Sequence, residues 1–491
     1  MVLEPIRSDE MKMNFLLTIG QSGLSFQHRG RRVLVLSTMA VLLIGLGVLV
    51  LAPSGAAQTP SDETRPVNQV LEWNQIFIDT LIATNTAPSV SPRVGAIVHT
   101  AIFDAYNGIE RRYKPIFVQE TAPRGASRRA AVIAAAYTAL VGLFPSRQEA
   151  LNARYLASLA ALSDDGEDGG KSLKRGVDWG TSVAQAVLAW RATDGFSTSY
   201  PAFNGGNIIG QWRPTPPVFG AMSSQGLAFT SMFVLDSNTQ FRPGPPRGLT
   251  SSTYTDDFNT VKALGRITGS TRTVDQTALA PFWEGNASVH WNQAANQSAF
   301  ANKLSMSNCN RLLAVLNIAM ADTVFTTWSG KRFYGAAAGE VTWRPVTSIP
   351  LAYTDGNPYT AAEAGWLPLV NTPSHPEYPA GHPSLNGSAA TVLLSYFDDA
   401  QTFTLTTTGQ PSRKYSSIEQ ARSDGNNARV WGGMHYPSTV VISDAMGEAI
   451  ANYVNQNSMQ RNNRFDQDAG ERMGHAVGQY IYNNRLQKLG D

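Results

Sequence analysis

HPEYPAGHPSLNGSAATVLLSYF, His375–Phe397, sets prolines, a glycine and a histidine immediately before a run of small and apolar residues. The run has the composition and length of a buried helix. Pro383 falls where a first-turn proline is tolerated, so Gly381 and His382 belong to the helix N-terminus, where free backbone N–H groups and the helix dipole favour an anion. Glycine lets such an anion approach the backbone closely. A histidine at that place can hydrogen-bond an oxyanion or move a proton near neutral pH. Taken alone, His382 reads equally well as an ordinary capping residue.

Working outward, basic residues gather on both sides of this stretch. Upstream, WSGKRFYGAAAGEVTWRPVTSI supplies Lys331, Arg332 and Arg344 amid aromatic and small residues. Downstream, ARVWGGMHYPS places Arg429 six residues before His435, with Gly432-Gly433 between them. Six residues do not share a helix face, but a turn at the glycines would aim both side chains inward. Singly, each cation reads as a solvated surface group. Together, three cation-bearing clusters and a helix N-terminus describe a site for a tetrahedral or trigonal-bipyramidal oxyanion.

The rest of the chain reads as mainly α, with long irregular loops. With 43% apolar and 15% charged residues in 491, the chain can bury a large core. Apolar residues at three- and four-residue spacing run from Val67 to Ile116, broken by TAPSVSP, and continue through the Ala-rich Arg128–Leu162. That second segment is interrupted at FPSRQEA, where Ser146 and Glu149 suit a capping box. Residues 200–255 shift to Pro, Gly, Ser and aromatics without periodicity, the pattern of a functional covering loop. Helical patterning returns from Asp256 to Trp328, from Pro383 to Phe397, and twice near the end, in AMGEAIANYVN and ERMGHAVGQYIYNNRL. We expect residues 58–491 to form a single domain, with a 58–265 half that carries the covering loop and a 266–491 half that carries the oxyanion site.

At the N-terminus, Arg29, Arg31 and Arg32 precede VLVLSTMAVLLIGLGVLVLA and then PSGAAQTP, whose small residues suit cleavage near Ala57. Residues 1–57 therefore read as an export signal, and the apolar run is long enough to serve instead as an uncleaved membrane anchor. Either way the body is expected outside the cytoplasm, secreted, periplasmic or membrane-anchored. Five of the 39 basic and three of the 37 acidic residues lie in residues 1–57, leaving 34 of each, a neutrality that argues against nucleic acid as partner. Cys309 is the only cysteine, so no intrachain disulfide forms and packing must hold the fold.

The ordered set Lys…Arg-Pro, Pro-x-Gly-His and Arg-x5-His resembles the superfamily of vanadium-dependent haloperoxidases and type 2 phosphatidic acid phosphatases. WRPVTSI, HPEYPAGH and RVWGGMH look like its secreted bacterial haloperoxidase branch, as do QWRPTPP, FRPGPP and HWNQAA. The resemblance implies a large helical-bundle haloperoxidase-like fold with vanadate as cofactor. It implies that Lys331, Arg344, Arg429 and the Gly381 N–H hold the vanadate oxygens. His435 would be the metal ligand, and His382 the acid–base group. The implied reaction oxidises halide with hydrogen peroxide to a hypohalous-acid equivalent, with vanadium acting as a Lewis acid and a small organic molecule as a further partner. His375 and Trp328 would border the halide; His375 stands where chloride-using members resemble one another in carrying phenylalanine, which implies bromide or iodide here. His375 reads equally as a structural histidine of the Pro-rich loop.

Three positions depart from that pattern. Ala380 stands where the family has serine, removing one hydrogen bond to an oxyanion oxygen. Lys331 lies thirteen residues before Arg344 instead of seven, and Trp328, three residues before Lys331, favours Lys331 with an inserted loop over Arg332. Thr439 occupies the place of the phosphatase aspartate four residues after His435, leaving Asp444 as the sequence's candidate for orienting that histidine. Two other readings stand beside the peroxidase: a phosphatase with His435 as nucleophile, and a non-catalytic relative with a degraded site.

Overall fold

The structure is a computed structural model that describes residues 68–162, 170–337 and 340–462. The expected signal or anchor over residues 1–57 and the ERMGHAVGQYIYNNRL helix lie outside the described residues. Thirteen α-helices occur among the described residues: α1 (Gln69–Ala83), α2 (Ser91–Glu110), α3 (Arg128–Leu143), α4 (Gln148–Ala160), α5 (Lys171–Ala192), α6 (Ser252–Leu264), α7 (Val274–Phe282), α8 (Ala287–Ala301), α9 (Met306–Ala336), α10 (Pro345–Leu351), α11 (Gly381–Leu394), α12 (Ile418–Trp431) and α13 (Pro437–Asn457). One antiparallel hairpin, β1 (Phe403–Leu405) and β2 (Arg413–Tyr415), pairs Phe403 with Tyr415. The chain is mainly α, as its periodicity predicts.

Local chemistry sets several boundaries. Asn68 starts α1 by accepting the Val70 N–H through its side chain at 3.1 Å. The TAPSVSP break holds, with Pro92 in the first turn of α2. The expected capping box at Ser146 and Glu149 does not form: Pro145–Arg147 make a 3-10 turn, and α4 starts at Gln148 without a side-chain cap. The proline's fixed φ holds the chain in that tight turn, so the helix restarts beyond it. A capping box occurs instead at Thr273 and Gln276.

α9 is the central beam. It is about 46 Å long at 1.5 Å per residue, and its apolar stretch is wholly buried. α2 packs on it with α3 and α5 behind; α11 and α13 pack on another side with α12 beyond. Glycines allow the closest approaches. A Cβ on Gly447 in α13 would lie 1.9 Å from the Ser384 carbonyl oxygen, and one on Gly387 in α11 would lie 2.2 Å from that of Asp444. These two helices therefore meet backbone to backbone, which fixes where α11 begins.

The irregular segment between α5 and α6 is tied to the second half of α9. The buried Asp322 carboxylate accepts the N–H groups of Phe233, Val234 and Leu235 at 2.8, 2.9 and 3.0 Å. Trp328 donates to the Ser223 carbonyl, Arg242 to Ser329, and Tyr334 to the Pro243 carbonyl. The loop is thus a fixed cover tied to one helix.

Because Gly447 faces the Ser384 backbone, Gly447→Ala should push α11 and α13 apart and cost about 1–3 kcal/mol of stability. The measurement is the guanidinium unfolding midpoint, which should fall; an unchanged midpoint would show that the two helices have room to spare.

Candidate functional site

Three elements bring their cations to one place. Lys331 lies near the end of α9, Arg344 at the N-cap of α10, Arg429 in the last turn of α12, and all three are buried. α12 stops at Gly432, and Gly433 adopts φ +76°, a left-handed turn natural to glycine that returns the chain so that Met434 and His435 face back toward Arg429. The loop His375–Ala380 passes through the middle. Lys331 Nζ donates to the carbonyls of Pro376 at 2.6 Å and Glu377 at 3.2 Å. Arg344 donates through Nε to the His375 carbonyl (3.0 Å), and through its terminal nitrogens to the Met434 carbonyl (2.8 Å), His435 Nε2 (2.9 Å) and His375 Nδ1 (2.8 Å).

Glu377 organises this arrangement. Its carboxylate is fully buried and accepts from His435 Nδ1–H at 2.9 Å, the Tyr436 N–H at 3.1 Å and the Thr439 hydroxyl at 3.0 Å. Holding the proton on Nδ1 leaves Nε2 as a lone-pair atom facing the guanidinium of Arg344. Burial pushes Glu377 up to about 7, while Arg344, Lys331 and its donors pull it down. His435 is held well below its usual value by burial and by Arg344, Lys331 and Arg429, so its imidazole is neutral.

The cations lack matching negative charge. Burial, then the repulsion of Arg344 and Arg429, presses Lys331 far below an ordinary lysine. Burial likewise lowers Arg344 to about 9 and Arg429 to about 10. Arg429 gives one nitrogen to Met434 Sδ at 3.0 Å, while its Nε and Nη1 are buried without a protein partner. Unmade hydrogen bonds on a buried cation are costly. A tetrahedral or trigonal-bipyramidal oxyanion would satisfy them, so the residues present fit vanadate or phosphate.

α11 adds its N-terminus. Gly381 and His382 are its first residues, so their N–H groups have no partner within the helix. Ser384 fixes this turn by donating to the Gly381 carbonyl at 2.8 Å and lying 2.9 Å from the Thr327 hydroxyl of α9. His382 Nε2 donates to the Gly285 carbonyl at 3.1 Å, which leaves Nδ1 as its acceptor. Burial and Arg429 hold His382 well below its usual value. Ala380 offers no hydroxyl; its N–H donates to Ser443 Oγ at 2.7 Å.

The structure thus brings together Lys331, Arg344, Arg429, His435 and His375, with Gly381 and His382 on the adjoining helix turn. Arg332, the fallback for Lys331, stacks on Phe203 at 4.3 Å instead, because one residue turns about 100° around a helix. Trp328 packs near His375 with ring centroids 5.2 Å apart. Asp444, the sequence's candidate for orienting His435, is corrected: it pairs with Arg422 at 2.6 Å. Glu377 takes that place, and Thr439 bonds Glu377, not the histidine. The inward glutamate of HPEYPAGH lies 58 residues from His435, and only its setting between prolines could have marked it.

Inorganic phosphate at about 100 times its dissociation constant should stabilise the fold by about 2.7 kcal/mol. Differential scanning calorimetry should show this as a raised melting temperature, and Arg429→Gln should lose most of the rise. Equal rises in both proteins would place the bound anion elsewhere.

Residues 311–464, which hold every one of these cations and both His382 and His435, match the family model of the VCPO second helical-bundle domain. Solved structures share the fold. One described as the first bacterial vanadium-dependent iodoperoxidase superposes with a TM-score of 0.68 at 22% identity, covering 81% of this chain and 99% of its own. A holo-type bacterial vanadium-dependent chloroperoxidase gives 0.57 at 18%, covering 75% and 91%; its apo-type counterpart gives 0.58 at 17%, covering 75% and 94%. No curated protein matches the sequence. Over residues 311–464 the chain thus matches that domain model, and it shares the fold of these three structures, with the motif residues gathered at one buried centre.

Proposed function

We propose that the chain is a vanadate-dependent haloperoxidase that uses hydrogen peroxide to oxidise halide, bromide and iodide ahead of chloride, to a hypohalous-acid equivalent. The observation that carries this reading is the buried group of Lys331, Arg344 and Arg429, with Arg429 N–H groups unpartnered, beside a histidine kept unprotonated at Nε2 by Glu377. Lys331, Arg344, Arg429 and the Gly381 N–H would hold the oxygens of vanadate, and His435 Nε2 would be its ligand. Bound there, vanadate supplies a Lewis acid that polarises peroxide without changing oxidation state. The chain's part is binding, orientation and proton handling. Buried cations hold the oxyanion where water screens them little. Neutral His382, oriented by Gly285, takes or gives a proton at Nδ1. Residues 1–57 supply the export signal or anchor that puts this activity outside the cytoplasm.

Halide choice rests on His375. Its imidazole is neutral, held low by burial and by Lys331 and Arg344, and it bonds Arg344 directly. A polar ring in place of an apolar wall changes the hydrogen bonding beside the oxidising centre. The fold is shared with an iodoperoxidase and with chloroperoxidases alike, so the halide preference proposed here rests on His375. The same centre has a chemical rival, since a neutral histidine backed by a carboxylate is also a nucleophile toward a phosphate ester.

His435→Ala should reduce vanadate-dependent iodide oxidation to the level seen without vanadate while circular dichroism remains native. Phosphate-ester hydrolysis by the parent chain, with no halide oxidation under vanadate and peroxide, would replace this reading with a phosphatase.

Steady-state rates at matched peroxide and pH should show turnover of iodide and bromide with chloride at least about tenfold slower, a difference of about 1.4 kcal/mol in barrier. Chloride turnover equal to bromide would remove the assignment of His375.

A further inference from the structure

Met434, the residue before His435 in RVWGGMH, is buried and touches two of the three cations. Its carbonyl accepts from Arg344 Nη1 at 2.8 Å, and its Sδ accepts from Arg429 Nη2 at 3.0 Å. Its own N–H donates to the Arg429 carbonyl at 3.0 Å, within the turn that ends α12. Gly432 leaves room for the thioether, since a Cβ there would lie 2.8 Å from the Met434 methyl carbon. Ala280 and Val370 pack with it. The sulfur therefore has a fixed place beside the guanidinium.

That sulfur is the one acceptor the described residues give the Arg429 side chain, whose Nε and Nη1 have no protein partner. A guanidinium is a planar, rigid fork, so holding one terminal nitrogen directs its remaining N–H groups. A thioether suits this task because it is a weak, uncharged acceptor. It tethers the cation without cancelling the charge that an oxyanion needs. A carboxylate bonded there would pair with the fork and compete with the anion. One carboxylate is near enough to do so: Glu284 acts on Arg429 through its charge, yet Nε and Nη1 do not bond it.

We propose that Met434 is a positioning residue for oxyanion binding: its thioether aims the Arg429 guanidinium so that Nε and Nη1 stay open to the bound oxygens. The role rests on the anion-binding part of the proposed function and not on halide oxidation. Without the sulfur the guanidinium has no acceptor, and Glu284 becomes the group toward which it turns. The cation would then be neutralised by the protein instead of by the anion.

The test is calorimetric titration of the full chain with inorganic phosphate, in the absence of vanadate, peroxide and halide, for the parent, Met434→Leu and Met434→Gln. Leucine conserves volume and removes the acceptor; glutamine restores an acceptor on a side chain of similar length. With native circular dichroism in both, Met434→Leu should bind phosphate about tenfold more weakly and Met434→Gln within about threefold of the parent, the difference that one hydrogen bond to a charged group makes. A crystal structure of Met434→Leu should show the guanidinium turned toward Glu284, and it decides the matter if Met434→Gln fails to fold. Parent-like affinity in Met434→Leu, equal losses in both variants, an undisplaced guanidinium or a parent that binds no phosphate would overturn the proposal. A packing role alone gives the reverse order, with leucine tolerated and glutamine not. Because no turnover is measured, a chain whose phosphate affinity follows Met434 but which never oxidises halide keeps this role and loses the function reading. A chain that oxidises iodide while Met434→Leu binds phosphate like the parent does the reverse.

Discussion

The Glu377 carboxylate, buried beside Arg344 and Lys331, is the interaction on which the rest of the centre depends. Its oxygens fix the tautomer of His435 and tie down the start of α13 through Tyr436 N–H and Thr439, while its backbone carbonyl receives Lys331. One residue therefore sets the geometry of a buried histidine and of a cation that arrives from another helix. A carboxylate there also lowers the cost of gathering Lys331, Arg344 and Arg429 in a space with little water. It does not cancel it: the unpartnered nitrogens of Arg429 keep the centre in want of an anion.

Such a cluster needs a rigid frame, since a cation free to swing outward would do so. α9 supplies one wall, α11 is pressed against α13 by close glycine contacts, and the loop before α6 is held by Asp322, Trp328, Tyr334 and Arg242. The thirteen-residue spacing between Lys331 and Arg344 is accommodated in this frame: Thr342 and Trp343 donate their N–H groups to the Gly210 carbonyl at 2.8 and 2.9 Å, which anchors the end of the longer connection to the cover. Extra chain length between the two residues leaves both ends buried at the same centre.

Most of the helices and the cationic clusters were legible from the chain itself, while α5, α10 and α12 were not marked by its periodicity. Apolar spacing of three and four identified α1 and α2, because burial of one face demands it, and a run of small and apolar residues after a first-turn proline identified the helix at Gly381. Trp328 three residues before Lys331 marked the cation that the fold buries at the His375–Ala380 loop, because residues three apart share a helix face. Pro-x-Gly-His and Arg-x5-His, whose chemistry is confined to a few neighbouring residues, marked segments that the fold gathers at one buried centre. The Ser146 capping box failed because a proline-led 3-10 turn took those residues, a choice made by the path of the chain between two packed helices.

What the chain could not announce were pairings between distant segments. Glu377 meets His435 across 58 residues, Asp444 turns to Arg422, and Glu284 comes to lie where Arg429 senses it. Hydrogen bonds and ion pairs act over a few ångströms, so a partner far along the sequence is chosen only when helices pack. Local periodicity thus determined the elements and the kinds of groups on them. The tertiary structure alone decided which carboxylate holds the histidine and which nitrogens remain unsatisfied.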